Sequence, residues 1–135
     1  MNDFEHRALD LTEKNKIVFI AMSKYVFYFR RHAVKIVLEK NRTPISQFGI
    51  FDYFLTDWID RDLVRRANNN LIKMSDEMRV FGPISDGVLA EIKIVKKMNK
   101  PIKYFKIINS SSAVQEITKD EVEFEDDLGK YSDEL

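Results

Sequence analysis

The chain of 135 residues has no cysteine, only four glycines and three prolines, and 22 basic residues that balance 22 acidic ones. Without cysteine there are no disulfides, thiolate metal sites or cysteine nucleophiles, and a cytoplasmic location is expected. No apolar run is long enough to span a bilayer. The run IVFIAM at residues 17–22 is too short for a signal peptide and follows a charged segment. Membrane association is therefore not expected.

The residues that are present describe one folded domain. A hydrophobic content of 44% and an aromatic content of 12% are typical of globular proteins of this length. Residues 120–135 carry eight acids against Lys130 alone, which leaves 14 acids and 21 bases in residues 1–119. We therefore predict a domain at residues 1–117, whose basic surface attracts anions such as phosphates, and an acidic, flexible tail at residues 118–135. The alternative is that this tail folds against the basic surface.

Apolar periodicity divides the domain into alternating strands and helices. Strands are predicted at residues 16–21, 45–48, 77–81, 101–107 and 114–117, and helices at residues 24–40, 60–75 and 85–99. This alternation predicts an α/β fold, with an open, mainly parallel sheet of four to five strands and helices on both faces, in a flavodoxin- or Rossmann-like three-layer arrangement. The inner stripe of the second helix is predicted from its apolar spacing to be Ile59, Leu63, Ala67, Leu71 and Met74.

Two strand ends are candidate ligand sites, because open α/β sheets bind ligands beyond the carboxyl ends of their strands. One is the turn that holds Ser23 and Tyr25, and the other is the turn from Gly82 to Ser85. Both lead into predicted helices, whose N-termini favour anions. Ser85 and Asp86 are helix N-cap candidates as well as ligand contacts.

Glu91 is the unusual residue of the helix predicted at 85–99. On a helical wheel it falls inside the apolar arc, between Val88 and Met98, and away from the lysines. A carboxylate in that position must reach water at the helix edge, be paired, or face a cavity. Gly87, one turn earlier, lacks a side chain and would let a ligand approach the helix closely.

Three successive asparagines, Asn68, Asn69 and Asn70, lie on the preceding predicted helix. Asparagine offers both a donor and an acceptor to a base or a ribose, but exposed polar filler is an equal alternative. His6 and His32 lack metal-ligand spacing, so no metal is predicted, and no cofactor is expected. Nucleotide-binding glycine loops and hydrolase elbows are missing from the sequence. Dispersed basic residues make nucleic acid an unexpected partner.

The stretch NNNLIKMSDEMRVFGPISDGVLAEI, residues 68–92, resembles the nucleoside 2-deoxyribosyltransferase superfamily. The similarity is closest to small members of unassigned function, through a pattern of residues that continues to the next strand: Asp76, Glu77, Val80, Phe81, Gly82, Ile84, Ser85, Gly87, Glu91, Ile92, Pro101, Tyr104 and Phe105. The resemblance implies an oligomer (a dimer or higher) and a nucleoside or nucleotide as the small-molecule partner.

The resemblance also implies a role for Glu91 and places for two base-contacting groups. Glu91 would attack the anomeric carbon of the sugar and release the base, as in an N-glycosidase or deoxyribosyltransferase, and the helix N-terminus would keep it ionised. Two further carboxylates contact the base in that superfamily, and here Asn68 and Ser85 occupy those places, with Asn69 and Asp86 adjacent. There are two alternatives. One is a non-catalytic nucleotide-binding or sensing module, and the other is an oligomeric interaction protein whose interface is the aromatic segment 48–58.

Overall fold

A computed structural model describes residues 3–51, 57–109 and 113–135 of the chain. Its centre is a five-stranded sheet in the order β2-β1-β3-β4-β5, which confirms the predicted α/β class. The strands are β1 (Ile17–Ala21), β2 (Thr43–Ser46), β3 (Glu77–Phe81), β4 (Ile102–Ile107) and β5 (Val114–Ile117). The first four run parallel, and β5 pairs antiparallel with β4.

The sheet follows from the composition of its central strands. The β1 residues Val18 to Ala21 are at most 1% exposed, as expected for a strand covered on both faces. The edge strand β2 starts earlier than predicted and includes Pro44, which is tolerated because an edge strand leaves one side unpaired. A short helix, α2 (Gln47–Ile50), replaces the end of the predicted strand at 45–48. Residues 52–56 of the aromatic segment at 48–58 lie outside the described residues.

One face of the sheet is covered by α1 (Arg30–Glu39). Ala33 and Val37 of this helix pack with Val18 and Phe81 of the sheet. The helix predicted at residues 24–40 is shorter, because Lys24–Phe29 forms a 3₁₀ helix with a non-helical Val26. Aromatic and β-branched side chains crowd that stretch, and they are poor helix formers.

The other face is covered by α3 (Arg61–Met74) and α4 (Asp86–Lys97). The predicted inner stripe of α3 is wrong, since Leu63 and Met74 are each 57% exposed while Asn68 and Ile72 are buried. The helix is rotated about its axis so that Asn68 meets α4. Apolar spacing could not reveal this rotation, because the residue that determines it is polar.

Residues 118–135, for which the sequence predicts a flexible acidic tail, lie against the sheet and α4. Val122 and Phe124 pack on the core of the α3–α4 face, and Leu135 is 5% exposed within it. Near the chain end, Lys93 Nζ lies 2.7 Å from Glu134 Oε1. Apolar side chains interleaved with the acids explain why this segment can be buried in part.

None of the helices in the described residues has the length and apolarity that a bilayer crossing requires.

Candidate functional site

A cleft of about 890 Å³ opens at the carboxyl ends of β1 and β3. Chain connections leave these neighbouring strands toward opposite faces of the sheet, so this is the switch point at which open α/β sheets bind ligands. The cleft is lined by the turn after β1, by α3, by the start of α4 and by residues 125–128. The cleft lies at the two strand ends that the sequence singled out as candidate ligand sites.

Glu91 and Asn68 form the buried centre of the cleft. Each residue is 6% exposed, and Asn68 Nδ2 donates a hydrogen bond of 2.6 Å to Glu91 Oε2. Among the described residues, Glu91 Oε1 and Asn68 Oδ1 are buried without a hydrogen-bond partner. Unsatisfied buried oxygens are costly, so a pair of them facing a cleft indicates a site that a ligand or water completes.

Burial raises the pKa of Glu91 from 4.5 to about 7, and the hydrogen bond from Asn68 opposes this rise. Desolvation therefore opposes the ionised form of Glu91 that the helix N-terminus is expected to favour. Glu91 lies in the second turn of α4, beyond the first turn in which the helix dipole acts most strongly. With a pKa of about 7, this carboxyl group changes its charge close to neutral pH.

The start of α4 shapes the floor of the cleft. Ser85 caps this helix, with its Oγ accepting a hydrogen bond from the Val88 N–H at 3.2 Å. Asp86 Oδ1 accepts from the Gly87 N–H at 2.7 Å. A Cβ added at Gly87 would meet no atom within 4 Å, so this glycine borders open space. Both the capping and the ligand-contact interpretations of Ser85 and Asp86 are consistent with this geometry.

The turn after β1 supplies the opposite wall. Ser23 is 2% exposed, and its Oγ accepts a hydrogen bond from the Tyr25 N–H at 3.1 Å. Tyr25 is 71% exposed at the rim of the cleft, and Asn69 also lines it. Gly82 is the exception among the predicted site residues, since it lines a separate cavity of about 280 Å³ on the α1 face. Its φ of 86° explains the glycine as a turn residue.

Two acids of the recognised sequence pattern lie at the other end of the strands. Asp76 Oδ2 accepts a hydrogen bond of 2.7 Å from the Ile17 N–H at the start of β1. Glu77 Oε1 lies 3.3 Å from Arg79 Nη2 and 3.4 Å from Arg42 Nε in a largely buried cluster. These acids hold the sheet together rather than facing the cleft.

The sequence analysis missed two groups of residues that line the cleft. Lys24, Arg61 and Arg65 form a basic side, and residues 125–128 form an acidic one. Apolar residues among the tail acids could have signalled that the tail packs, but nothing local indicates where it packs. Within the described residues, no group of three or more histidine, cysteine, aspartate or glutamate side chains is placed to hold a metal ion.

Comparisons with known proteins give a family and a distant fold likeness. A family model described as "Domain of unknown function (DUF7768)" matches residues 21–105. A solved structure of a 2-deoxyribosyltransferase from the psychrotolerant bacterium Bacillus psychrosaccharolyticus is 17% identical, covers 86% of this chain and 90% of its own, and has a TM-score of 0.48. No curated protein matches the chain significantly. A likeness this distant does not transfer an activity.

Proposed function

The chain belongs to the DUF7768 family, whose function is unknown, and from the geometry of its cleft we propose that it cleaves or exchanges the N-glycosidic bond of a nucleoside or nucleotide. The observation that carries the proposal is Glu91. It is a buried carboxyl group at the ligand end of the sheet, held by Asn68 on one oxygen and unpartnered on the other among the described residues. The sequence resemblance in residues 68–92 supports the same role for this residue.

The proposed reaction proceeds in two displacements. A carboxylate oxygen of Glu91 bonds to the anomeric carbon while the bond from that carbon to the base nitrogen breaks. The electron pair leaves with the base, which takes a proton from water. In the second step, water or another base attacks the anomeric carbon and the ester bond breaks, which restores the Glu91 carboxylate. Water gives hydrolysis, and a second base gives transfer.

Each Glu91 neighbour has a part in this chemistry. The amide of Asn68 donates to the carboxylate, which favours its ionised, nucleophilic form. Ser23 and Tyr25 lie where a sugar would meet the turn after β1. Lys24, Arg61 and Arg65 line the same cleft. Arg61 lies 4.0 Å from Asp57 and Arg65 2.9 Å from Asp62, whereas Lys24 has no ion pair among the described residues and favours a phosphorylated sugar over a neutral one.

The direct test is release of free base from a panel of deoxynucleosides and their 5′-monophosphates, followed by chromatography. We expect release by the wild type and its loss in Glu91→Gln, while Glu116→Gln, an exposed carboxylate on β5, keeps the wild-type rate. The rate should rise with pH through about 7, as Glu91 ionises. Folded wild-type protein that releases no base from any substrate would disprove the function. Release by Glu91→Gln would disprove the role of the nucleophile.

A non-catalytic nucleotide-binding or sensing module is the second candidate. It is favoured by Asn68 and Ser85, which stand where the resemblance implies carboxylates that contact the base. The Asn68 side chain already bonds to Glu91, and the Ser85 side chain already bonds to the α4 backbone. Thermal shift against nucleotides, nicotinamide dinucleotides and ADP-ribose would separate the two. Binding without turnover supports the module.

Self-association remains a prediction that accompanies either function. Trp58 and Ile50, at the margins of the aromatic segment, are 84% and 51% exposed. Exposed large apolar side chains of this kind are enriched at protein interfaces. We expect sedimentation to show a dimer or larger species, and a clean monomer would contradict this expectation. Self-association through this segment would also support the third alternative, an interaction protein.

A further inference from the structure

The C-terminal segment is built into the wall of the cleft by backbone hydrogen bonds. The Ile84 N–H donates to Glu123 O at 2.8 Å, and the Glu125 N–H donates to Ile84 O at 2.9 Å. Ile84 immediately precedes Ser85, the N-cap of α4. These bonds fix Glu125 at the same turn that positions the floor of the cleft.

The far end of the segment is anchored as well. Leu135 is buried in the core of the α3–α4 face, and Lys96 Nζ donates to Glu134 O at 2.9 Å. Residues 125–128 line the cleft between these two attachments. Their placement is therefore a property of the fold and not of a free chain end.

Glu125 is distinguished from the other acids of this wall. Asp127 Oδ2 lies 3.3 Å from Lys130 Nζ, and Asp126 is exposed and turns the chain with a φ of 52°. Glu125 is half-buried, and among the described residues its carboxylate has no hydrogen-bond or ion-pair partner. A partly desolvated carboxylate without a partner is stabilised when a ligand donates hydrogen bonds to it.

The remainder of the cleft independently indicates a ligand. Glu91 and Asn68 both line the cleft, are each 6% exposed, and each has a buried oxygen without a hydrogen-bond partner among the described residues. If Glu91 attacks the sugar, as in the proposed function on which this step rests, the base must occupy another part of the cleft. The acidic wall offers a carboxylate, that of Glu125, which has no partner among the described residues and can accept hydrogen bonds from a base.

A carboxylate has two acceptor oxygens and selects a base edge with two adjacent donors. Guanine has such an edge, made of its ring N1–H and its exocyclic amine. Adenine and cytosine place an acceptor nitrogen beside the amine, and uracil and thymine place carbonyl oxygens on both sides of their N–H. We propose that Glu125 binds the base and makes the cleft selective for guanine nucleosides or nucleotides.

Calorimetric titration of the full chain with 2′-deoxyguanosine and 2′-deoxyinosine tests the proposal, because these ligands differ only in the exocyclic amine. The wild type should bind deoxyguanosine about 10-fold more tightly than deoxyinosine. Glu125→Gln should lose about 10-fold for deoxyguanosine and gain affinity for 2′-deoxyadenosine, since an amide offers one acceptor and one donor. Glu123→Gln, an exposed change in the same segment that lines the smaller cavity, should retain the wild-type preference.

Equal binding of all the bases, or an unchanged preference in Glu125→Gln, would overturn the role of Glu125. Base release that depends on Glu91 would then leave the proposed function intact. A loss of affinity in Glu125→Gln that is the same for every base would also count against the proposal, because it would indicate a structural effect. Absence of any binding and of any release would remove the function and the specificity together.

Discussion

The pKa of Glu91 lies near neutral pH because of the residues that surround it. Desolvation in the cleft raises the pKa to about 7, and the Asn68 amide limits the rise by stabilising the charged form. A general base or nucleophile works best when its pKa lies close to the working pH. At the scale of one residue, burial therefore brings the pKa of this carboxyl group into the range that the proposed nucleophile requires.

The first prediction concerns stability and pH. Below about pH 4.5 Glu91 is protonated in both the folded and the unfolded chain, so it contributes no penalty. As pH rises toward about 7 the unfolded chain loses this proton and the folded chain keeps it, so the free energy of unfolding falls, by about 3 kcal/mol in total. Urea unfolding from about pH 4 to about pH 8 should show this loss in the wild type and not in Glu91→Gln.

Glu116→Gln serves as the matched control, because Glu116 is exposed on β5. Its stability should follow that of the wild type at each pH. Parallel curves for the wild type and Glu91→Gln would mean that Glu91 is not desolvated in the folded protein.

Two glycines lie near the junction of β3 and α4, and they differ in their surroundings. Gly82 is in the turn, and Gly87 is in the first turn of α4. Gly82 has a φ of 86°, and an added Cβ would lie 3.3 Å from Ile107 Cδ1 and 3.4 Å from Val26 Cγ2. Gly87 has helical neighbours and open space in the cleft. The first glycine is needed by the backbone, and the second leaves room for a ligand.

The second prediction follows from this difference. Gly82→Ala should lower the free energy of unfolding by about 1–2 kcal/mol, since alanine is strained at positive φ. Gly87→Ala should raise it by up to about 1 kcal/mol, through better helix propensity, yet weaken ligand binding in the cleft. Denaturant unfolding and calorimetric titration measure the two effects. A destabilised Gly87→Ala variant, or one with unchanged ligand affinity, would contradict this account.

At the scale of elements, the sequence predicted the span of α3 correctly and its buried face incorrectly. Its span was predicted within one residue at each end, because Asp60 caps it and accepts a hydrogen bond from the Asp62 N–H at 2.8 Å. Its buried face was predicted wrongly, because Asn68 is buried through a bond to Glu91, a residue 23 positions away. Local signals define a helix, but its rotation depends on its neighbours.

At the scale of the whole molecule, the acidic residues 120–135 contact the basic remainder of the chain. Residues 120–135 are acidic and the remainder is basic. Glu134 pairs with Lys93, and Glu123 Oε1 lies 4.0 Å from Lys106 Nζ. Exposed pairs of this kind contribute little each, so the buried Leu135 is expected to contribute more to anchoring.

The third prediction tests this anchoring. Leu135→Ala should lower the free energy of unfolding by about 2 kcal/mol, because it removes buried apolar volume. Asp133→Ala, an exposed change in the 3₁₀ helix Leu128–Glu134 that precedes Leu135, should leave stability within about 0.5 kcal/mol of the wild type. Thermal or urea unfolding distinguishes them. A Leu135→Ala variant as stable as the wild type would show that the tail is not packed in solution.

The sequence by itself determined the order of strands and helices along the chain, the two strand ends at which the cleft opens, and the position of Glu91 within an apolar arc. Each of these follows from periodicity and capping, which act over a few residues. Only the tertiary structure decided that Asn68 bonds Glu91, that Gly82 lies outside the cleft, and that Glu125 lines it. Those outcomes depend on contacts between distant segments, where packing and desolvation of the whole chain select one arrangement.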